Sequence, residues 1–223
     1  SLFVSCLAFA GDVPPDATDA NVIMSAVEDR ERGDRSTSRL AITIKDKAGR
    51  ERTRVVVARA MDHEEASRQL LLFESPADVR NAGMLSLDWD DVAKADDQWL
   101  YLPSIGKPTR IAGSDRSGSF MGTDLNFADM TRKDPNNYTY TIKEQSVAIG
   151  DEDCWRIEAM PNESERAETG YAKSELWISK SKLVPVQSKA WVTVGKKLKY
   201  SRFEDYQNHD GIWVAHKMTV RTV

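Results

Sequence analysis

Residues 99–130 read WLYLPSIGKPTRIAGSDRSGSFMGTDLNFADM. The apolar, strand-like run Trp99-Leu100-Tyr101-Leu102 stops at Pro103, which cannot donate to a central ladder. A basic, glycine-broken stretch then leads to Phe120-Met121-Gly122 and to a short helix expected from Thr123 to about Arg132. Leaving so many large apolar side chains in water costs about 25 cal/mol for each Å² exposed. The segment therefore covers a core or receives something apolar.

Outward from this segment the chain reads as strands. Asp19 to Glu31 is the one well-marked helix, with Val22, Ile23, Ala26 and Val27 on one face, Thr18 or Asp19 as cap and Gly33 as stop. Leu40, Ile42 and Ile44 then alternate with polar residues, and Asp46 to Gly49 turns into Glu51 to Ala60. Strand patterns recur at Ser67 to Glu74, Gly83 to Asp90 and Gln98 to Pro103. Past the central segment they return at Tyr138 to Ile149, Cys154 to Met160, Lys173 to Ser179, Leu183 to Val194, Lys197 to Tyr206 and Ile212 to Thr222. Short polar turns between them predict an antiparallel meander rather than βαβ units. Pro161 to Gly170, PNESERAETG, reads as a mobile, charged hairpin loop.

The fold class expected is mainly β (α+β), built on a single curled antiparallel sheet. Trp155 and Ile157 alternate with Arg156 and Glu158, and Leu176 and Ile178 with Glu175 and Ser179, so the sheet has one wet face and one dry face. Two short helices cover too little for a flat sheet of this many strands. Curling the sheet around them leaves a concave apolar interior.

The first residues, SLFVSCLAFAGD, read as the remnant of a secretory signal ending in the small-x-small pattern Ala8-Phe9-Ala10. Residues 1–10 are assigned to that remnant and residues 11–223 to a single domain. Lipidation at Cys6 fits poorly, because Phe3 and Val4 are bulky where such a site needs small residues. Cleavage at Ala10 leaves Cys154 without a partner for an internal disulfide. Elsewhere no apolar run approaches the ~20 residues that span a bilayer, and a soluble protein in a bacterial periplasm is expected.

Composition and motifs exclude more than they assign. The net charge of −4 is spread over interspersed acids and bases, so no basic field exists to hold a phosphate backbone, and nucleic acid is not an expected partner. His63 lies in a polar turn and is followed by Glu64-Glu65 without a second histidine one turn later, while His209 and His216 flank the last hairpin. No metal and no cofactor are expected. The serines between Gly113 and Ser119 form no G-x-S-x-G elbow, and neither a P-loop nor a dinucleotide fingerprint occurs. No catalytic residues are assigned.

Arg110, Asp115, Arg116, Asp124, Asp129 and Arg132 carry both signs close in sequence, so mutual pairing is the simpler reading. Arg110 and Arg116 are the best candidates for contacts to an anionic head group. Trp155 falls on an apolar face, whereas Trp177, Trp191 and Trp213 fall on more polar parities suited to a half-wet rim.

Trp99-Leu100-Tyr101-Leu102-Pro103, Arg110-Ile111, SGSFMG at residues 117–122 and Thr123-Asp124-Leu125 with Asp129 resemble the signature region of LolA-like outer-membrane lipoprotein-sorting proteins. More narrowly they resemble the branch found beside RND or MMPL-type exporters. The likeness extends more loosely from about Ala20 to the terminal strands KYSRFEDYQ and GIWVAHKMTV.

The resemblance implies an incomplete antiparallel β-barrel wrapped over helices, whose hydrophobic cavity accepts acyl chains of lipoproteins or lipids in the periplasm. The implied role is a carrier that takes cargo from the inner membrane, or from an RND/MMPL or ABC-type exporter, toward an outer-membrane acceptor. A monomer is expected. The candidate cavity wall takes Leu85, Leu87, Trp89, Trp99 and Tyr101 from the strands before the central segment. From the segment itself come Phe120, Met121, Leu125, Phe127 and Met130, and from the later strands Trp155, Ile157, Leu176 and Ile178. Flexible methionines accept variable tails without demanding shape. A lipid-sensing regulatory module of the same fold stays open beside the carrier, as does a hydrolase of lipid or glycan that would depend on His216, Asp124 or Asp129.

Overall fold

The computed structural model describes residues 13–63, 65–91 and 94–223, so the signal-like residues 1–10 lie outside the described part. Helix α1 spans Ala20–Asp29, and the Asp19 side chain accepts hydrogen bonds from the backbone N–H of Asn21 and Val22. A carboxylate there satisfies orphan donors and complements the helix dipole. The helix buries Ala20, Ile23, Met24 and Val27, the i, i+3, i+4, i+7 stripe of one face. Val22, expected on that face, is 53% exposed, while Ile23 is fully buried.

Among the described residues twelve strands follow in simple order, but they form two six-stranded sheets where a single sheet is expected from the sequence. Sheet one contains β1 (Arg35–Lys45), β2 (Glu51–His63), β3 (Ala66–Ser75), β4 (Gly83–Trp89), β5 (Asp97–Tyr101) and β6 (Pro108–Arg110). Sheet two contains β7 (Tyr138–Ile149), β8 (Glu152–Pro161), β9 (Tyr171–Ser179), β10 (Pro185–Val192), β11 (Leu198–His209) and β12 (Ile212–Thr222). Each strand pairs antiparallel with its neighbour in sequence, the expected meander, and neither sheet closes on itself. The break has a local cause. After the three-residue β6, which begins with a proline tolerated on an edge, residues 111–137 form only 3₁₀ turns and an isolated bridge, so no strand bonds β6 to β7.

Turn chemistry fixes the registers. The hairpin joining β11 and β12 turns through Asp210-Gly211, both at positive φ, between the paired residues His209 and Ile212. Such a two-residue Asp-Gly turn matches the twist of the flanking strands.

Two sequence expectations are corrected. Residues expected to form a mobile loop contain helix α2, Glu163–Thr169, whose first turn is held by the Asn162 side chain accepting from the Glu165 N–H at 2.8 Å. The helix expected at Thr123 to Arg132 is a single 3₁₀ turn, Phe127–Met130. Asn126 and Asp129 close a reciprocal capping box at its start, and Thr131, in an extended conformation, ends it after four residues.

The chain divides into two compact units. One holds α1, sheet two and α2 as far as Arg166; the other holds sheet one, the segment up to Arg132, and Ala167–Thr169. In the first unit α1 lies in an apolar core with Tyr140, Trp155, Ile157, Ala159 and Ile178. A second cluster there joins Cys154, Trp177 and Val186, so Trp177 is a core residue rather than a rim one.

The burial difference between adjacent α1 residues gives a direct check. Ile23→Ala removes a fully enclosed side chain and is expected to cost about 2–5 kcal/mol in urea unfolding. Val22→Ala is expected to stay within about 0.5 kcal/mol of the parent. Equal effects at the two positions would contradict the helix orientation.

Candidate functional site

Sheet one presents one face whose residues follow from strand alternation and register. Leu71 opposes Met84, and Met84 opposes Leu100, so these three share a row across β3, β4 and β5. With Val56, Phe73, Val79 and Ala82 they form an apolar cluster, against which Ile42, Ala58 and Leu102 pack. The next row on the same face is polar, because Gln69 opposes Ser86 and Ser86 opposes Gln98.

The central segment covers this face. Phe120 is 1% exposed, its ring 6.3 Å from that of Phe73 and 5.8 Å, edge to face, from that of Phe127. Met121, Leu125, Phe127 and Met130 pack around the same cluster. The segment folds back on itself: Phe120 N–H donates to Leu125 C=O at 2.7 Å, and Phe127 N–H donates to Gly118 C=O at 3.1 Å. Its reversal occurs at Met121 and Gly122, both at positive φ, with Thr123 N–H donating to Phe120 C=O at 3.0 Å. Glycine takes that backbone freely, whereas Met121 holds it against a steric penalty of about 1–2 kcal/mol.

Polar side chains, not a strand ladder, fasten the cover to the sheet. The Arg54 guanidinium donates to the Met121 carbonyl, and Gln98 Nε2 donates to the Phe127 carbonyl at 2.8 Å. Gln98 is fully buried, and its Oε1 has no hydrogen-bond partner in the structure. Arg116, 4% exposed, donates to the Glu168 carboxylate and the Asp96 carbonyl. Asn126 donates to the Thr169 carbonyl at 2.8 Å. At the far end Arg132 N–H donates to Asp88 Oδ2 at 3.2 Å, and its guanidinium pairs with Asp62.

The residues expected to line one cavity are spread over three places. Phe120, Met121, Leu125, Phe127 and Met130 share the cluster just described. Leu85, Leu87, Trp89, Trp99 and Tyr101 alternate with Met84, Ser86, Gln98 and Leu100, and so lie on the opposite face of sheet one. The run MLSLDW has apolar residues at both parities, and alternation alone does not say which set faces the cover. Trp155, Ile157, Leu176 and Ile178 pack with α1 in the other unit's core. Val56, Leu71, Phe73, Met84 and Leu100 belong to the cluster without having been expected there. Strand register places them opposite Phe120, and alternation in the sequence alone does not single them out.

The two arginines expected to meet head groups differ. Arg110 is exposed and bonds Asp97 at 2.7 Å, on the face that carries Trp99. Arg116 is enclosed and paired. The cover's cations do not pair with its own carboxylates, contrary to the expectation from the sequence: Arg110, Arg116 and Arg132 take Asp97, Glu168 and Asp62 from elsewhere. Asp129 instead accepts from the Asn126 N–H. His209 and His216 lie 3.3 Å apart between Nε2 atoms on the last hairpin. Among the described residues no group of three or more His, Cys, Asp or Glu is placed to hold a metal.

The model of a protein family described as "Uncharacterized protein" matches residues 65–223. No curated protein matches the chain. Among solved structures, a domain assigned to outer membrane lipoprotein sorting from Vibrio parahaemolyticus is 25% identical with a TM-score of 0.82, covering 91% of this chain and 85% of that one. A DUF1329 family protein from Desulfovibrio piger is 26% identical with a TM-score of 0.80, covering 91% and 83%. A LolA superfamily protein from Nitrosomonas europaea shares the fold at 23% identity and a TM-score of 0.66, covering 92% and 86%.

Asp88 provides a pH test of the cover's attachment. Burial, helped by nearby Asp96, pushes its carboxyl up to about 6 despite the opposing Arg132 and Arg116. The folded state then holds this proton more tightly than the unfolded chain, so the stabilisation is full below about pH 4 and is lost as pH rises through about 6. Asp88→Asn is expected to match the parent in urea unfolding near pH 4 and to exceed it near pH 8, by on the order of 1–3 kcal/mol. A variant no more stable at the higher pH would contradict this role for the buried carboxylate.

Proposed function

The chain belongs to the family matched over residues 65–223 and has the LolA-like fold, and on that premise we propose that it is a periplasmic carrier of acyl chains. Its cargo is the acyl part of lipoproteins or lipids, collected at the inner membrane or from an exporter of the RND/MMPL or ABC type and passed toward an outer-membrane acceptor. The chain works as a monomer. No helix among the described residues is long and apolar enough to cross a membrane.

One observation carries this reading. The apolar face of sheet one is covered by a segment that contributes Phe120, Met121, Leu125, Phe127 and Met130 without adding a strand to the sheet. An acyl chain that displaced this cover would replace one apolar neighbour with another. Each buried CH₂ contributes about 0.8 kcal/mol, and the apolar burial that the displaced cover gives up offsets much of that sum. Such a balance suits a carrier, which has to release its load. Methionines at positions 121 and 130 adapt to tails of different shape.

The test is displacement of a fluorescent fatty acid from the intact chain. Leu125→Asp places a charge at the half-buried edge of the cluster, loosens the cover that the acyl chain has to displace, and is expected to strengthen binding at least about tenfold, with far-UV circular dichroism unchanged. Phe120→Asp is expected to act in the same direction. Parent-like binding by a folded Leu125→Asp protein would remove the cavity assignment.

A further inference from the structure

Between Glu175 and Glu204 the sequence contains no Asp or Glu, although the whole chain carries a net charge of −4. The same stretch holds seven cations: Lys180, Lys182, Lys189, Lys196, Lys197, Lys199 and Arg202. This run of one sign stands apart from the otherwise interspersed charges. Its members are not equivalent. Lys180 and Lys182 are neutralised by Asp153 and Glu152 of sheet two. Lys196 and Lys197 lie instead in the exposed turn between β10 and β11, beside Val194, which is 80% exposed.

Aromatic residues continue this tip into the sheet. Lys173 and Lys189 stand over the Trp191 ring with Nζ at 4.4 and 4.5 Å from its centroid. Lys189 also faces Tyr200, its partner across β10 and β11. Leu198 opposes Trp191 on the same face. A lone exposed valine is ordinary on a protein surface. An exposed valine at a turn tip, followed by paired lysines and backed by a half-buried tryptophan, matches the chemistry of a membrane interface: a small apolar tip, an amphipathic ring and cations at the height of anionic head groups.

We propose that the β10–β11 turn docks this protein on an anionic phospholipid surface, with Val194 entering the head-group layer and Lys196 and Lys197 meeting lipid phosphates. The charge of the turn selects the surface, since the rest of a net-negative chain is repelled by it. Attachment through two lysines and one apolar tip is weak and reversible, and it is independent of what lies beneath the cover on sheet one.

The experiment is co-sedimentation of the full chain with vesicles of phosphatidylcholine alone or enriched in phosphatidylglycerol, at low and high salt. Binding is expected only to the anionic vesicles and only at low salt. Each lysine near such a surface is worth about 1 kcal/mol, so Lys196→Gln with Lys197→Gln is expected to weaken partitioning about thirtyfold. Val194→Asp is expected to weaken it as well. Lys180→Gln with Lys182→Gln changes the net charge equally and is expected to leave partitioning near the parent value. Equal losses in the two double variants would overturn the proposal in favour of diffuse charge. Absence of binding to any vesicle would overturn it too, leaving the turn's cations to an acidic protein surface.

Discussion

The contact of Phe120 with the apolar face of sheet one is the constraint on which the second unit depends. Six antiparallel strands leave that face open, and among the described residues of that unit no further strand or long helix closes it. The segment after β6 does so without adding a strand. Phe120 reaches Phe73 and Phe127, and the backbone around it reverses so tightly that Met121 and Gly122 both take positive φ. Burial of one such aromatic contributes about 1.5–3 kcal/mol, comparable with the cost of the strained turn that delivers it. The hold of the cover therefore rests on its other apolar side chains and on its polar attachments.

Its polar attachments follow the same logic. Arg116 is enclosed and pairs with the half-buried Glu168, and removing Glu168 costs about 3–5 kcal/mol because the buried guanidinium is stranded. Asp88 opposes that anchor: its carboxylate is destabilised by burial while it accepts the Arg132 N–H that ends the segment. Firm fixation at Arg116 and weak fixation near Arg132 give the segment unequal ends. Between them lie the residues that face the cluster, so their apolar partners can exchange without detaching the chain from its unit.

Much of this is legible in the sequence, for physical reasons that can be named. Strand alternation and polar turns reveal the meander, and Asp19 before an apolar stripe reveals α1, since both signals are local. The excess of apolar residues from Trp99 to Met130 identifies the cover without knowledge of any contact. What stays hidden requires information from distant partners. The parity of β4 depends on which face Phe120 reaches, and MLSLDW is apolar on both. The division into two sheets depends on residues 111–137 failing to pair, which strand propensity does not encode. Trp177 looks half-wet because it shares its strand parity with Glu175 and Ser179, yet Cys154 and Val186 from adjacent strands enclose it. Helix α2 does carry a local signal, Asn162 with Glu165 three residues later, overshadowed by the charge and proline content of PNESERAETG.

Whether the cover on sheet one yields to an acyl chain is tested most directly by hydrogen exchange, measured by mass spectrometry with and without a saturating long-chain fatty acid. Amides of residues 118–130, including those of Phe120, Phe127 and Ala128 that bond within the segment, are predicted to exchange faster when the fatty acid is bound, while β2 to β4 keep their protection. Unchanged or slower exchange across the segment, with the fatty acid demonstrably bound, would contradict the account.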